Sequence, residues 1–194
     1  SGFMTLDDAL YIEKQVTKES RVLIVGAGLI GLKCAEGICQ KAKSVTVCDL
    51  APRVLSSILD DKCAAFMQEK LEQHGVSFLL GDTAVKFDKN TAFMKSGKQV
   101  EFNLLVLAVG VRPNTALVKE AGGNIGRGIA VDSRSATSIP DVYAAGDCTE
   151  TTDVSSGQTK IMALLPNAYV QGKAAGLNMA GKDEKFDNAI PMNS

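Results

Sequence analysis

Three glycines, Gly26, Gly28 and Gly31, follow the apolar run "VLIV" and open a stretch of helical pattern. Their spacing, G-x-G-x-x-G, suits one piece of chemistry, the gripping of a dinucleotide's diphosphate. The first glycine permits a tight turn, the second lets backbone approach the pyrophosphate, and the third lets helix pack close on strand. The N–H groups at the helix start, those of Leu29 and Ile30 among them, are then free for phosphate oxygens at the positive end of the helix dipole. Asp49 ends the next apolar segment, 18 residues past Gly31. A carboxylate there accepts from both ribose hydroxyls and repels a 2′-phosphate, which favours NAD(H) over NADP(H). Arg53 stands close behind and keeps NADP(H) as the minority option. Without a ligand, the same glycines would make a plain strand-to-helix turn, and Asp49 would cap the loop that follows it.

The elements around these residues supply the context the motif needs. Residues 21–25 read as a buried strand, 44–48 ("SVTVC") as a second, and 76–80 ("VSFLL") as a third. A helix runs from the glycines to about Lys41. Another, Leu59 to His74, has its apolar residues at helical spacing and Gly75 where a C-cap is wanted. "AVKFD", "TAFMK" and "QVEFN" alternate and are separated by turn residues, which describes a small antiparallel meander. "LLVLAVG", 104–110, is apolar almost throughout and suits a central parallel strand. The order is that of an α/β, doubly wound, Rossmann-like sheet with a meander. Before it, Leu6 to Val16 is patterned as a short helix. After Arg112 come a short helix, a brief strand at "GIAV", a strand at "VYAAG", and a Thr/Ser/Asp-rich loop from Thr149 to Lys160. A helix rich in small residues follows, from Ala168 to Ala180. This later part has few large apolar residues and reads as an incomplete second α/β segment.

Composition narrows the function classes. With 45% hydrophobic and 22% charged residues over 194 positions, the chain has an ordinary globular make-up. The net charge of −1 argues against nucleic acid or an anionic membrane as partner. No apolar run reaches bilayer length and no signal peptide opens the chain, so the expected location is the cytoplasm. Five cysteines at irregular spacing read as free thiols of a reducing compartment. Cys34 and Cys39, five apart within one helix, point in directions that disfavour a disulfide. The lone histidine, His74, sits at a helix end. No metal cluster and no acid, base or nucleophile set can be argued.

"VGAGLIGLKCAE", "LLVLAVGVRPNT" and "ATSIPDVYAAGDC" occur in this order. With them the chain resembles the family of FAD-dependent pyridine nucleotide-disulfide oxidoreductases. The likeness is closest to the branch of NADH-dependent rubredoxin, nitrite and coenzyme A-disulfide reductases and NADH oxidases. The resemblance implies a linker helix over 1–18, an NAD(H)-binding domain over 19–111, and the C-terminal half of an FAD-binding domain over 112–181. Residues 182–194 would lead into an interface domain. It also implies that Gly110 lets the strand end approach the nucleotide, and that Gly146 and Asp147 serve FAD, the carboxylate on its ribityl and phosphate side. "LLPNAYVQGKAAGLNMAG" resembles the helix whose start faces the flavin ring. With a single G-x-G-x-x-G, the chain is expected to be a fragment, inactive alone, of a flavoprotein that is homodimeric when intact. That flavoprotein passes hydride from NADH to FAD and electrons to a small redox protein, nitrite, a disulfide or oxygen. The alternative is a non-catalytic NAD(H)-binding redox sensor. Lys33 and Leu29 depart from the family pattern, standing where many relatives carry Glu and some carry Tyr.

Overall fold

The computed structural model describes residues 1–187 and 189; of the stretch expected to lead into an interface domain, residues 188 and 190–194 lie outside it. The chain divides into two compact units, Ser1–Gly110 and Val111–Ser194.

In the first unit, four β-branched or leucine-rich strands make one parallel sheet. They are β1 (Arg21–Val25), β2 (Ser44–Asp49), β3 (Val76–Leu80) and a late strand, Leu104–Leu107. The late strand is β7 in chain order, because the meander strands β4 (Ala84–Asp88), β5 (Thr91–Met94) and β6 (Gln99–Glu101) precede it. The sheet order is β3-β2-β1-β7. Alternation along β1 explains the layering. Val22 and Ile24 point into the helix-side core, with Val45, Val47, Val106 and helix residues Ile12, Leu32, Ala35 and Ala64. Leu23 points the other way, with Cys48, onto Ala92 and Met94 of the meander and Phe102.

The helices on the first face are α1 (Leu6–Gln15), α2 (Leu29–Ile38) and α3 (Asp61–Gln73). Thr5 and Asp8 form a reciprocal capping box at the start of α1, and Asp60 caps α3 through the N–H of Cys63. Helix α1 lies within the first compact unit, so the residues read from sequence as a separate linker pack Ile12 into its core. Gly31, Leu32, Cys34, Ala35 and Ile38 form the buried stripe of α2 at the helical period.

One expectation is corrected here. Among the described residues strand β7 is an edge strand, paired with β1 and with no other regular strand. Among the described residues its outer edge meets Ser1 and Gly2: Gly2 bridges Leu107, and the Leu107 N–H donates to the Ser1 carbonyl at 2.9 Å. The first part of the run is covered on both faces, Leu104 and Val106 in the helix-side core and Leu105 in the meander cluster, while Leu107 and Val109 are exposed. Hydropathy reports covered faces and is silent on paired edges.

The second unit holds α4 (Ala116–Glu120), β8 (Ile129–Ala130), β9 (Thr149–Thr152), β10 (Thr159–Lys160) and α5 (Leu165–Met179), with the three strands ordered β10-β9-β8. Two further expectations change. The Thr/Ser/Asp-rich loop is a β9–β10 hairpin, in which β-branched threonines pair across the ladder. Its turn folds around the buried carboxylate of Asp153. That carboxylate accepts from the Ser155 N–H and hydroxyl at 2.9 and 2.7 Å and from the Ser156 hydroxyl at 2.6 Å, and it pairs with Lys160 at 2.6 Å. The "VYAAG" segment is not a regular strand; Tyr143 makes only an isolated bridge, to Ala136. Helix α5 begins three residues earlier than expected, with Pro166 inside its first turn, where a missing N–H costs nothing.

This packing generates two predictions. A Cβ on Gly31 would overlap the Gly26 carbonyl oxygen and press Ala108 Cβ at 3.3 Å. Gly31→Ala is therefore expected to lower stability by about 2 kcal/mol or more in urea unfolding, since overpacked sites cost roughly 1–3 kcal/mol. The Asp153 carboxyl is held well below the usual carboxylate range, first by Lys160, then by the serine hydroxyls. A depressed folded value means its stabilisation is full above the unfolded value, near 3.9, and is lost as pH falls below about 4 toward the folded value. Amide protection of the hairpin, taken relative to the intrinsic exchange rate at each pH, should fall in that acid range, and Asp153→Asn should remove that pH dependence.

Candidate nucleotide-binding site

The C-terminal ends of β1 and β7 lie where the strand order reverses, since the chain passes from β1 to β2 and β3 on one side and returns to β7 on the other. Open α/β sheets bind ligands at such a switch point. A cavity of about 410 Å³ opens here, a size typical of small-molecule sites, which run from roughly 300 to 1,000 Å³. Gly26, Gly28, Leu29, Ile30, Asp49 and Gly110 all line it. Six of the residues expected from sequence therefore meet in one cleft.

The three glycines of the motif have different reasons for being glycine. Gly26 has φ +116°, and a Cβ there would overlap the Ala108 carbonyl. Gly31 is packed under the turn, off the cleft, where a Cβ would strike Gly26. Gly28 has neither reason. It lies in extended backbone with φ −79° and ψ −178°, and a Cβ there would meet nothing within 4 Å. It faces the open cleft as the N-cap of α2, and no side chain caps that helix. The first-turn N–H groups, which have no intrahelical acceptor, are thus bare at the cleft. Close packing explains Gly26 and Gly31, whereas at Gly28 no neighbour demands glycine and the backbone stands open to the cleft.

Asp49 projects from the end of β2 beside this turn. One oxygen accepts the Ala27 N–H at 2.6 Å and the other accepts the Ala51 N–H at 2.8 Å. Each oxygen keeps further acceptor capacity toward the cleft. Arg53 goes elsewhere: its guanidinium donates to the Ser56 and Leu59 carbonyls and pairs with Asp61 at 3.3 Å, and it does not line the cavity. Sequence reading missed Leu50, Ser56, Ser57 and Thr83, which also line the wall. Only their nearness to Asp49, or to the strand end after β3, could have signalled them.

The remaining residues of interest resolve simply. Lys33 pairs with Glu36 at 2.9 Å on the exposed face of α2. His74 is exposed at the end of α3, its Nδ1 2.7 Å from the Lys70 carbonyl. All five cysteines are free, and burial pushes the Cys34 thiol up to about 11, so it is inert as a nucleophile at neutral pH. Among the described residues no group of three or more His, Cys, Asp or Glu could hold a metal ion, and no helix is long and apolar enough to cross a membrane.

In the second unit, Gly146 has φ +83° and its N–H donates to the buried Gln171 side chain at 2.8 Å. The Thr149 hydroxyl donates to the Gly146 carbonyl at 2.8 Å. The turn is held from both sides, while the Asp147 carboxylate is exposed and unpartnered among the described residues.

Comparison with known proteins agrees with this geometry. The model of the pyridine nucleotide-disulphide oxidoreductase family matches residues 1–172. An NADH oxidase of Methanocaldococcus jannaschii is 37% identical over 188 residues, which is 94% of this chain and 42% of that protein. A nitric oxide reductase FlRd-NAD(+) reductase of Citrobacter koseri is 40% identical over 142 residues, 71% of this chain and 38% of the relative. Among solved structures, the water-forming NADH oxidase of Lactobacillus brevis, bound to NADH, superposes with a TM-score of 0.87. It is 26% identical over 97% of this chain and 42% of its own. The chain thus spans about two fifths of the length of these relatives. With the glycine turn, the acid beside it and the sheet reversal all in place, the chain belongs to the pyridine nucleotide-disulphide oxidoreductase family.

Proposed function

We propose that the cleft over the glycine turn binds NADH, and that the chain serves an FAD-dependent NADH oxidoreductase. The observation that carries this reading is Gly28, where a Cβ would meet no neighbour and where a helix start without a side-chain cap faces the cleft. Gly26, Gly28, Leu29 and Ile30 form the diphosphate cradle, Gly31 lets α2 pack close beneath it, and Asp49 accepts from the ribose hydroxyls. Gly110, left-handed at φ +83°, keeps the rim low at the end of the sheet. Gly146 and Asp147 serve FAD, supported by a fixed turn that presents an exposed carboxylate. We assign residues 19–111 to NAD(H) binding, with α1 packed on that unit, and 112–181 to the C-terminal half of an FAD domain.

The bound cofactors supply the redox chemistry, hydride from the nicotinamide to the flavin. The protein's part is to hold and orient them. Electrons then leave to an acceptor outside this chain. The name of the Citrobacter koseri relative supports a protein acceptor, and nitrite, a disulfide or oxygen are the others in view. A homodimeric intact enzyme rests on the family resemblance alone. The five free thiols support a cytoplasmic setting.

Calorimetric titration of the 194-residue chain with NADH and NADPH tests the reading. Gly28→Ala is expected to unfold within about 1 kcal/mol of the wild type, the scale of an N-cap change. It should nevertheless weaken NADH binding about tenfold or more, because its Cβ occupies the approach to the diphosphate. Asp49→Ala should cut the preference for NADH over NADPH by about tenfold, since each bond to a charged acceptor is worth roughly 1.5–3 kcal/mol. Undiminished NADH binding by Gly28→Ala, or equal losses of both nucleotides in Asp49→Ala, would contradict the assignment.

A further inference from the structure

The peptide groups of Ala27, between the first two glycines, are held from both sides. Its N–H donates to Asp49 at 2.6 Å, and its carbonyl accepts from the Leu55 N–H at 2.9 Å. Ala27 is itself buried, so these two contacts set the plane in which the turn meets the cleft. Asp49 lies at a strand end. Leu55 lies in the connection between β2 and α3, and it adopts φ +49°. Left-handed backbone at a non-glycine residue costs roughly 1–3 kcal/mol and persists only where the surroundings over-determine it.

What over-determines it is visible. The Val54 and Leu55 side chains are buried in the helix-side core. Arg53, just before them, folds over the same connection. Its Nε and Nη2 donate to the Leu59 carbonyl at 3.4 and 3.3 Å, and Nη2 also donates to the Ser56 carbonyl at 3.2 Å. Its Nη1 lies 3.3 Å from Asp61 in the first turn of α3. All three guanidinium nitrogens are engaged within the connection. Ser56, whose carbonyl Arg53 holds, is also part of the cleft wall.

We propose that Arg53 is a positioning residue for the dinucleotide turn. It fastens the 53–61 segment as a strap, so that the Leu55 N–H fixes the Ala27 carbonyl opposite Asp49, and it does not read a 2′-phosphate. This rests on the NADH reading above and assigns a new role within the same site. A lysine offers one point charge in place of the three spaced nitrogens that reach the two carbonyls and Asp61, so it holds the same partners less well.

The test has two arms on the full chain. In the first, without nucleotide, NMR hydrogen exchange is followed at the Ala27 and Leu55 amides. In the second, NADH and NADPH are titrated into the wild type, Arg53→Met and Arg53→Lys, with melting curves confirming that each is folded. Arg53→Met is expected to speed exchange at both amides and to weaken NADH and NADPH alike by about tenfold, equivalent to roughly 1.4 kcal/mol. Arg53→Lys should fall between it and the wild type, and it carries the test if Arg53→Met does not fold. Unchanged exchange at Ala27 and Leu55 would overturn the strap, whatever the nucleotides do. Selective loss of NADPH would overturn it by making Arg53 a phosphate reader. Faster exchange in a protein whose wild type binds neither nucleotide would leave a local brace, refute the NADH reading, and remove the positioning role with it.

Discussion

Three backbone segments meet closer at the head of α2 than any side chain allows. The Gly26 backbone lies against the Ala108 carbonyl, and Gly31 lies against the carbonyl of Gly26. That double approach docks the helix onto β1 and β7 and aims its bare first turn into the cleft at the sheet reversal. The rest of the first unit maintains this contact. The helix-side core holds α2 to the sheet, and the meander closes the opposite face with Ala92, Met94 and Phe102. Asp49 and Leu55 fix the Ala27 peptide from either side. A site built mainly from backbone is rigid at little cost in side-chain entropy, which suits a cofactor that must be presented in one orientation.

The carboxylate of Asp49 joins the fold to the proposed recognition of NADH. It organises the turn through the Ala27 N–H and turns the chain at Ala51, and it stands beside the cleft with acceptor capacity to spare. Residues with both duties blur the division between structural and functional positions. Its neighbour Arg53 shows the converse, a cation near the proposed nucleotide site whose guanidinium is committed to the protein's own backbone.

The sequence made the dinucleotide turn, the acid at the end of β2 and the alternation of strands and helices legible, because each has a local cause. Glycine spacing, a two-residue period and a 3.6-residue period are written in consecutive residues. What stayed hidden depends on partners distant in the chain. The edge position of β7 depends on what lies beside it, and an apolar run reports only covered faces. The β9–β10 hairpin was masked by Ser, Asp and Gly in its turn, although Asp153 at its centre is what ties that turn together. "VYAAG" has the composition of a strand, yet Tyr143 finds only an isolated bridge. Arg53 was assignable only once Leu59, Ser56 and Asp61 were placed around it, and Ser56, Ser57 and Thr83 join the cleft through loops whose paths no periodicity encodes.

The most direct test of the account is amide chemical-shift mapping of the chain as NADH is added. The account predicts the largest shifts at Gly28, Leu29 and Ile30, with Asp49 and Gly110 moving on the same binding curve and the meander amides of β4–β6 unmoved. Saturable NADH shifts centred elsewhere, with the amides of Gly28 to Ile30 unchanged, would contradict it.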